Sequence, residues 1–301
     1  MSTIAIVAPS SYAPKPEFAV RAIQRLEQRG WTVKNWVDLN SKYLRFSADD
    51  ATRLAQLNAA ADDPDVDVIM ALRGGYGISR ILERIDFDRM AASGKLFVGF
   101  SDFTPFHLGL LAKTGKVSFA GPMLYDDFGS EHEQDVTFNH FKNCLTQKRF
   151  SFDVPNDGSP VVSVQGLCWG GNLAMLTHLV GTRFMPDIDG GILFVEDVNE
   201  NPYRIERMLM QLHLSGILRK QKALVLGHFT NYRPTEIDNG YDLNSMLSYI
   251  RDTIGIPVIT GLPFGHCPNK VTVPVGGQLT LISDAKKITF EFENYPYLPK
   301  I

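Results

Sequence analysis

The chain has 301 residues, 44% of them hydrophobic and 21% charged, with a formal net charge of -3. This is the balance of a soluble globular protein long enough for two domains. It supplies neither the basic footprint of a nucleic-acid binder nor a polybasic patch for a membrane surface. The three cysteines, Cys144, Cys168 and Cys267, are odd in number and far apart, which argues against a disulfide framework. No paired Cys/His spacing points to a structural zinc site.

In chain order, the apolar run Thr3–Ala8 is predicted to be a strand buried on both faces of a parallel sheet. It has no basic region before it and is too short for a secretion signal core, and no stretch approaches the ~20 apolar residues of a membrane span. A cytoplasmic protein is expected. Helical spacing over Phe18–Gln28, a strand at Trp31–Val37, a helix from Ser47 and a strand at Val66–Leu72 follow. Arg73-Gly74-Gly75-Tyr76-Gly77 then forms a loop, and Ile78–Ile85 reads as helix. Lys95–Thr104 reads as a short strand turning sharply at Gly99-Phe100-Ser101-Asp102 into a helix near Pro105. Alternating strands and helices predict an α/β domain with a mainly parallel sheet.

Residues 126–160 are polar and turn-rich and are expected to connect two domains, 1–125 and 161–301. The acidic cluster Asp126, Asp127, Glu131, Glu133 and Asp135 is expected to be a solvated surface with no ligand. Beyond it, Gly191–Val195 is an apolar strand ending in Glu196-Asp197, and Tyr203–Leu214 is a helix with Pro202 at its first turn. The β-branched runs at 271–273, 279–282 and 288–292 predict an antiparallel meander and a β-rich second domain.

A serine on a strand-to-helix turn is the geometry of a nucleophile elbow, although Phe103 stands where the second glycine of G-x-S-x-G would be. By itself the turn reads as a pair of helix caps, Ser101 and Thr104. A serine nucleophile needs a base, and the base needs an orienting acid. Of seven histidines, His266 and His228 each follow a strand, whereas His107 lies early in a helix and should pack or face solvent. Glu196 ends an apolar strand, where a carboxylate needs a partner. Backbone N–H groups for an oxyanion could come from Gly74, Gly75 and Asp102. The RGGYG loop could instead cradle a phosphate, but it lacks the Lys-Ser/Thr ending of a P-loop.

Seven segments in order resemble the LD-carboxypeptidase family of serine peptidases, the muramoyltetrapeptide carboxypeptidases. They are IVAPSSY (Ile6–Tyr12), LRGGYG (Leu72–Gly77), GFSDFT (Gly99–Thr104), GPMLYDDFG (Gly121–Gly129), WGGNLAML (Trp169–Leu176), FVEDVNENPYRIERML (Phe194–Leu209) and ITGLPFGH (Ile259–His266). Val195 stands where many members have leucine, a conservative departure. The resemblance implies an N-terminal domain like class I glutamine amidotransferases and a smaller β-rich C-terminal domain. It also implies a Ser101–Glu196–His266 triad, an oxyanion hole from the N–H groups of Gly75 and Asp102, no metal or other cofactor, and a homodimer. The implied reaction removes the terminal D-Ala from muropeptide tetrapeptides. Arg73 and Arg204 are candidates for the terminal carboxylate, and Tyr76, Trp169 and Asn172 for other substrate contacts. Some family members instead cleave an aminoacyl-nucleotide antibiotic. A non-catalytic peptide- or sugar-binding module and a cysteine hydrolase are rivals of other kinds. With the triad divided between domains, His266 is expected to stand beyond hydrogen-bond reach of Ser101 until substrate binds.

Overall fold

The computed structural model describes residues 1–299. In the first half strands and helices alternate as β1 (Thr3–Val7), α1 (Pro16–Gln28), β2 (Thr32–Asn35), α2 (Asp50–Asp62), β3 (Val68–Ala71), α3 (Ile78–Ile81), α4 (Phe87–Ala92), β4 (Leu96–Gly99), α5 (Thr104–Thr114) and β5 (Ser118–Ala120). Every residue of β1, β3, β4 and β5 is buried, as a parallel sheet covered by helices on both faces requires. The helix expected at Ile78–Ile85 is shorter: α3 ends at Ile81 and a tight turn covers Leu82–Arg84.

The second half contains α6 (Asp135–Thr146), β6 (Phe150–Pro155), β7 (Val162–Asn172), α7 (Leu173–His178), β8 (Ile192–Val198), α8 (Pro202–Leu214), β9 (Ala223–Thr230), α9 (Leu243–Thr253), β10 (Val258–Ile259), β11 (Val273–Val275), β12 (Gln278–Ser283) and β13 (Lys287–Glu293). The stretch expected to be a connection therefore carries a helix and a strand. α6 buries Thr137, Phe138, Phe141, Cys144 and Leu145, the 3.6-period face of an amphipathic helix.

Two sheets result. The first has the order β11-β5-β4-β3-β1-β2, parallel except where β11 pairs antiparallel with β5. The second has the order β10-β9-β8-β7-β12-β13-β6. Its β7 changes character along its length. Residues 162–167 pair antiparallel with β12, whereas residues 168–172 pair parallel with β8. Burial follows: alternating along the first part, continuous from Cys168 to Asn172. An antiparallel sheet can leave one face in water; a parallel one cannot.

The halves interlock beside the Ser101 turn. β11 comes from the second half but extends the first sheet, so the expected terminal meander keeps only β12 and β13. The backbone N–H of Asn172, ending β7, donates to Thr104 Oγ1 at the start of α5 (3.0 Å). A Cβ on Gly171 would lie 2.7 Å from that same hydroxyl, so only glycine lets β7 approach α5 so closely. α5 is buried along Thr104–Leu111, and Pro105 in its first turn and left-handed Gly115 after its end mark its limits.

Candidate active site

β4 delivers the chain to Gly99, and the backbone then reverses sharply. Ser101 has φ +59, a left-handed conformation that an L residue with a side chain adopts only when its surroundings impose it. Neither Ser101 nor Thr104 caps a helix with its side chain. Phe103, at the position of the missing second glycine, folds back over Gly99, where a Cβ would lie 2.8 Å from its ring. Across the turn lies the RGGYG loop. A Cβ on Gly74 would sit 2.9 Å from Ser101 Oγ, so glycine there leaves the hydroxyl its space.

The Ser101 hydroxyl lies 3.1 Å from His266 Nε2, and His266 Nδ1 lies 2.8 Å from Glu196 Oε2. The Glu196 carboxylate accepts from Nδ1–H, which leaves the Nε2 lone pair to accept from Ser101. The imidazole ring packs against Phe100 at 4.9 Å, and the His266 carbonyl accepts from Thr230 Oγ1 at 3.2 Å. Gly265 has φ +132, and a Cβ there would be 3.0 Å from Glu196 Oε2. The expectation that His266 stands beyond reach of Ser101 is thus corrected. The shared first sheet, the Thr104–Asn172 contact and the Phe100–His266 packing hold the two halves together at this point.

Glu196 is fully buried and Asp197 beside it is 3% exposed. Successive strand residues normally face opposite ways, but the register of β8 against β9 shifts between Val195 and Asp197. Asn172 Nδ2 donates to both carboxylates, at 3.1 Å to Glu196 and 3.0 Å to Asp197. Asp197 also accepts from the N–H groups of Ala174 and Val198, each at 2.8 Å. Burial, followed by the charge of Glu196, pushes the Asp197 carboxyl up to about 6. A raised carboxyl favours the folded state at low pH, and that contribution is lost as pH rises from about 4 through about 6. Asp197→Asn cannot ionise. Whatever constant offset the lost acceptor causes, its melting temperature is expected to gain on wild type across this window. An unchanged difference between pH 4 and pH 7 would contradict the assignment.

The expected substrate contacts lie in different surroundings. Trp169 is fully buried and its indole N–H donates to Gln221 Oε1 at 2.9 Å. Asn172 is 4% exposed and its amide is committed to the Glu196 and Asp197 carboxylates. Arg204 is exposed on α8 and pairs with Glu200 at 3.6 Å. Arg73 adjoins the glycine loop, 3.7 Å from Asp126 and over the ring of Tyr125, and Tyr76 is exposed. The acidic cluster is not all solvated: Asp127 is buried in an ion pair with Lys270. The Lys270 ammonium lies 4.3 Å from the centre of the Phe100 ring, directly behind the elbow. No sequence signal marked this pair, because the partners are 143 residues apart.

Among the other histidines, His228 is exposed at the end of β9. His107 is fully buried, with Nδ1 2.8 Å from Ser118 Oγ and Nε2 2.8 Å from the Gly99 carbonyl. The carbonyl can only accept, so Nε2 carries the proton; burial pushes this imidazole down to about 4 and keeps it neutral. Burial pushes the thiols of Cys144 and Cys168 well up and that of Cys267 up to about 11, so none is poised as a thiolate nucleophile.

Comparison with known proteins identifies the family of the chain. Residues 4–121 match the family model of the LD-carboxypeptidase N-terminal domain and residues 165–281 that of the C-terminal domain. The chain is 32% identical over 294 residues to a probable murein peptide carboxypeptidase of Bacillus subtilis, covering 96% of this chain and 91% of that protein. It is 28% identical to the microcin C7 self-immunity protein of Escherichia coli over 94% of this chain and 90% of that one. The crystal structure of a muramoyltetrapeptide carboxypeptidase from Oxalobacter formigenes superposes with a TM-score of 0.94 at 52% identity, covering 98% of this chain and all of that one. The self-immunity protein in complex with glutamyl sulfamoyl guanosine superposes with a TM-score of 0.89 at 26% identity, covering 98% and 97% of the two chains. With both domain models matched in order and the strand-turn serine in its expected setting, the chain belongs to the LD-carboxypeptidase family.

Proposed function

We propose that this chain is a serine carboxypeptidase that hydrolyses the amide between an L-configured centre and a terminal D-amino acid, releasing D-Ala from muropeptide tetrapeptides. The observation that carries this reading is the unbroken path Ser101 Oγ–His266–Glu196, at 3.1 and 2.8 Å. Ser101 attacks the carbonyl carbon as His266 Nε2 takes its proton. Glu196 holds the ring in the tautomer that permits this and stabilises the imidazolium. The N–H groups of Gly75 and Asp102 receive the oxyanion. His266 then protonates the departing D-Ala nitrogen, and water, deprotonated by the same ring, hydrolyses the acyl-enzyme. Arg73 receives the substrate's terminal carboxylate, next to the glycine loop. The nucleophile comes from residues 1–125 and its two partners from 161–301. The setting is the cytoplasm, where a homodimer of this chain serves peptidoglycan recycling.

The test is incubation of purified protein with L-Ala-γ-D-Glu-diaminopimelate-D-Ala, free and sugar-linked, beside an aminoacyl-sulfamoyl nucleoside. Mass spectrometry is expected to find the tetrapeptide shortened by one D-Ala. Cleavage of the nucleoside conjugate alone would reassign the substrate, and cleavage of neither would favour a binding module.

A further inference from the structure

Asp102 is 1% exposed, yet it follows the proposed nucleophile directly. A buried carboxylate is unfavourable unless hydrogen bonds replace its water. Here a single oxygen does the binding. Oδ2 accepts from Ser10 Oγ at 2.6 Å and from the backbone N–H of Ile78 at 2.9 Å. Oδ1 has no hydrogen-bond partner among the described residues. The carboxylate therefore grips two loops at once: the one leaving β1, and the end of the RGGYG loop.

The same two loops are held from a second side. The guanidinium of Arg53, fully buried, donates through Nη1 to the carbonyls of Pro9 and Gly77, the latter at 3.0 Å. Pro9 and Gly77 are the residues immediately before Ser10 and Ile78. A cation thus holds the two carbonyls, and an anion holds the hydroxyl and N–H that follow them. Gly77 has no room for a side chain: a Cβ would lie 2.7 Å from Arg53 Nη1 and 2.8 Å from Ser10 Cα. One residue further on, Ser11 N–H donates to the Gly74 carbonyl at 3.2 Å, and a Cβ on Gly75 would lie 2.1 Å from Ser11 Oγ. The position of the Gly74–Gly75 peptide relative to Ser101 is therefore set through Ser10, Ile78 and Asp102.

We infer that the Asp102 carboxylate is a positioning residue, which with Arg53 aligns the glycine loop so that the Gly75 and Asp102 N–H groups converge on one oxyanion. The inference rests on the serine-hydrolase reading above. It goes further in giving the side chain of Asp102, and not only its backbone, a task in the reaction. An oxyanion donor displaced by a fraction of an ångström loses much of its effect in the transition state while substrate binding is retained.

The test compares wild type with Asp102→Ala, Asp102→Asn and Ser10→Ala, each assayed well below its own melting temperature. Two rates are read: D-Ala release, as kcat and KM, and labelling of Ser101 by a fluorophosphonate. In the labelling Ser101 Oγ bonds to phosphorus, fluoride leaves, and the phosphoryl oxygen takes the oxyanion's place. Asp102→Ala is expected to lower both kcat and the labelling rate by roughly 10- to 100-fold, with KM within about twofold of wild type. Asp102→Asn keeps an oxygen that can accept from both Ser10 and Ile78, and is expected to recover most of the rate. Ser10→Ala removes one arm and is expected to cost about fivefold in kcat. Wild-type labelling by Asp102→Ala overturns the inference, even if its melting temperature falls. Should Asp102→Ala not fold, unchanged kcat and labelling in Ser10→Ala overturn it instead. A wild type that labels but releases no D-Ala removes the substrate reading and leaves the labelling rates to decide; one that does neither overturns both.

Discussion

Ser101→Ala is expected to lower D-Ala release by at least about 10⁴-fold while the protein still folds, since the residual rate comes only from binding and the oxyanion donors. Alanine meets the same left-handed backbone at φ +59 as serine does, so the strain at this turn is unchanged. His266→Ala is expected to cost about as much, and the double variant no more than either alone, because nucleophile and base act as one unit. Glu196→Gln offers an amide where Nδ1–H needs an acceptor, and a loss of about 10³-fold or more is expected. Steady-state D-Ala release with a matched melting curve for each variant checks the series. Retention of a tenth of wild-type turnover by Ser101→Ala, or additive losses in the double variant, would remove Ser101 from the nucleophile's role.

The largest expected loss of stability is at a glycine without chemistry. Gly170 lies in the parallel part of β7 opposite Phe194 of β8, with φ +136, and a Cβ there would be 1.9 Å from the Phe194 carbonyl oxygen. That atom is backbone in a central strand and cannot turn aside as a side chain can. Gly170→Ala combines backbone strain with a clash that opens the β7–β8 pair, and a loss above about 4 kcal/mol is expected. Gly158→Ala is the control. It also has positive φ, at +82, but nothing lies within 4 Å of its Cβ, so the cost should be only about 1 kcal/mol. Soluble yield and chemical denaturation of the pair check this. A Gly170→Ala protein as stable as Gly158→Ala would mean that β7 and β8 are not packed this closely.

The parts of this protein legible in the sequence are those whose physics is local. The buried strands β1, β3 and β4 announce themselves as apolar runs, α1 and α8 as periodic faces, and the elbow as a strand meeting a helix through Gly99 and Ser101. Glu196 is conspicuous because an apolar strand ends in a carboxylate. Residue pattern alone leaves His266 and His228 equal; the folded chain sets the His266 ring between Ser101 and Glu196. α6 and β6 carry periodic apolar positions, Phe138, Phe141 and Leu145 at helical spacing and Phe150, Phe152 and Val154 in alternation, but lie in a stretch whose polar, turn-rich composition reads as a connection.

What only the tertiary structure decided depends on contacts far apart along the chain. The Asn172 amide on two buried carboxylates and the Trp169 indole on Gln221 are pairings that no local pattern announces. Asp127 looks solvated until Lys270 closes on it behind Phe100. The exchange of β11 into the first sheet has no local signature. Secondary structure answers to periodicity over a few residues. Burial, charge pairing and the distance between a base and its nucleophile answer to how the two sheets meet, and that appears only once the chain has folded.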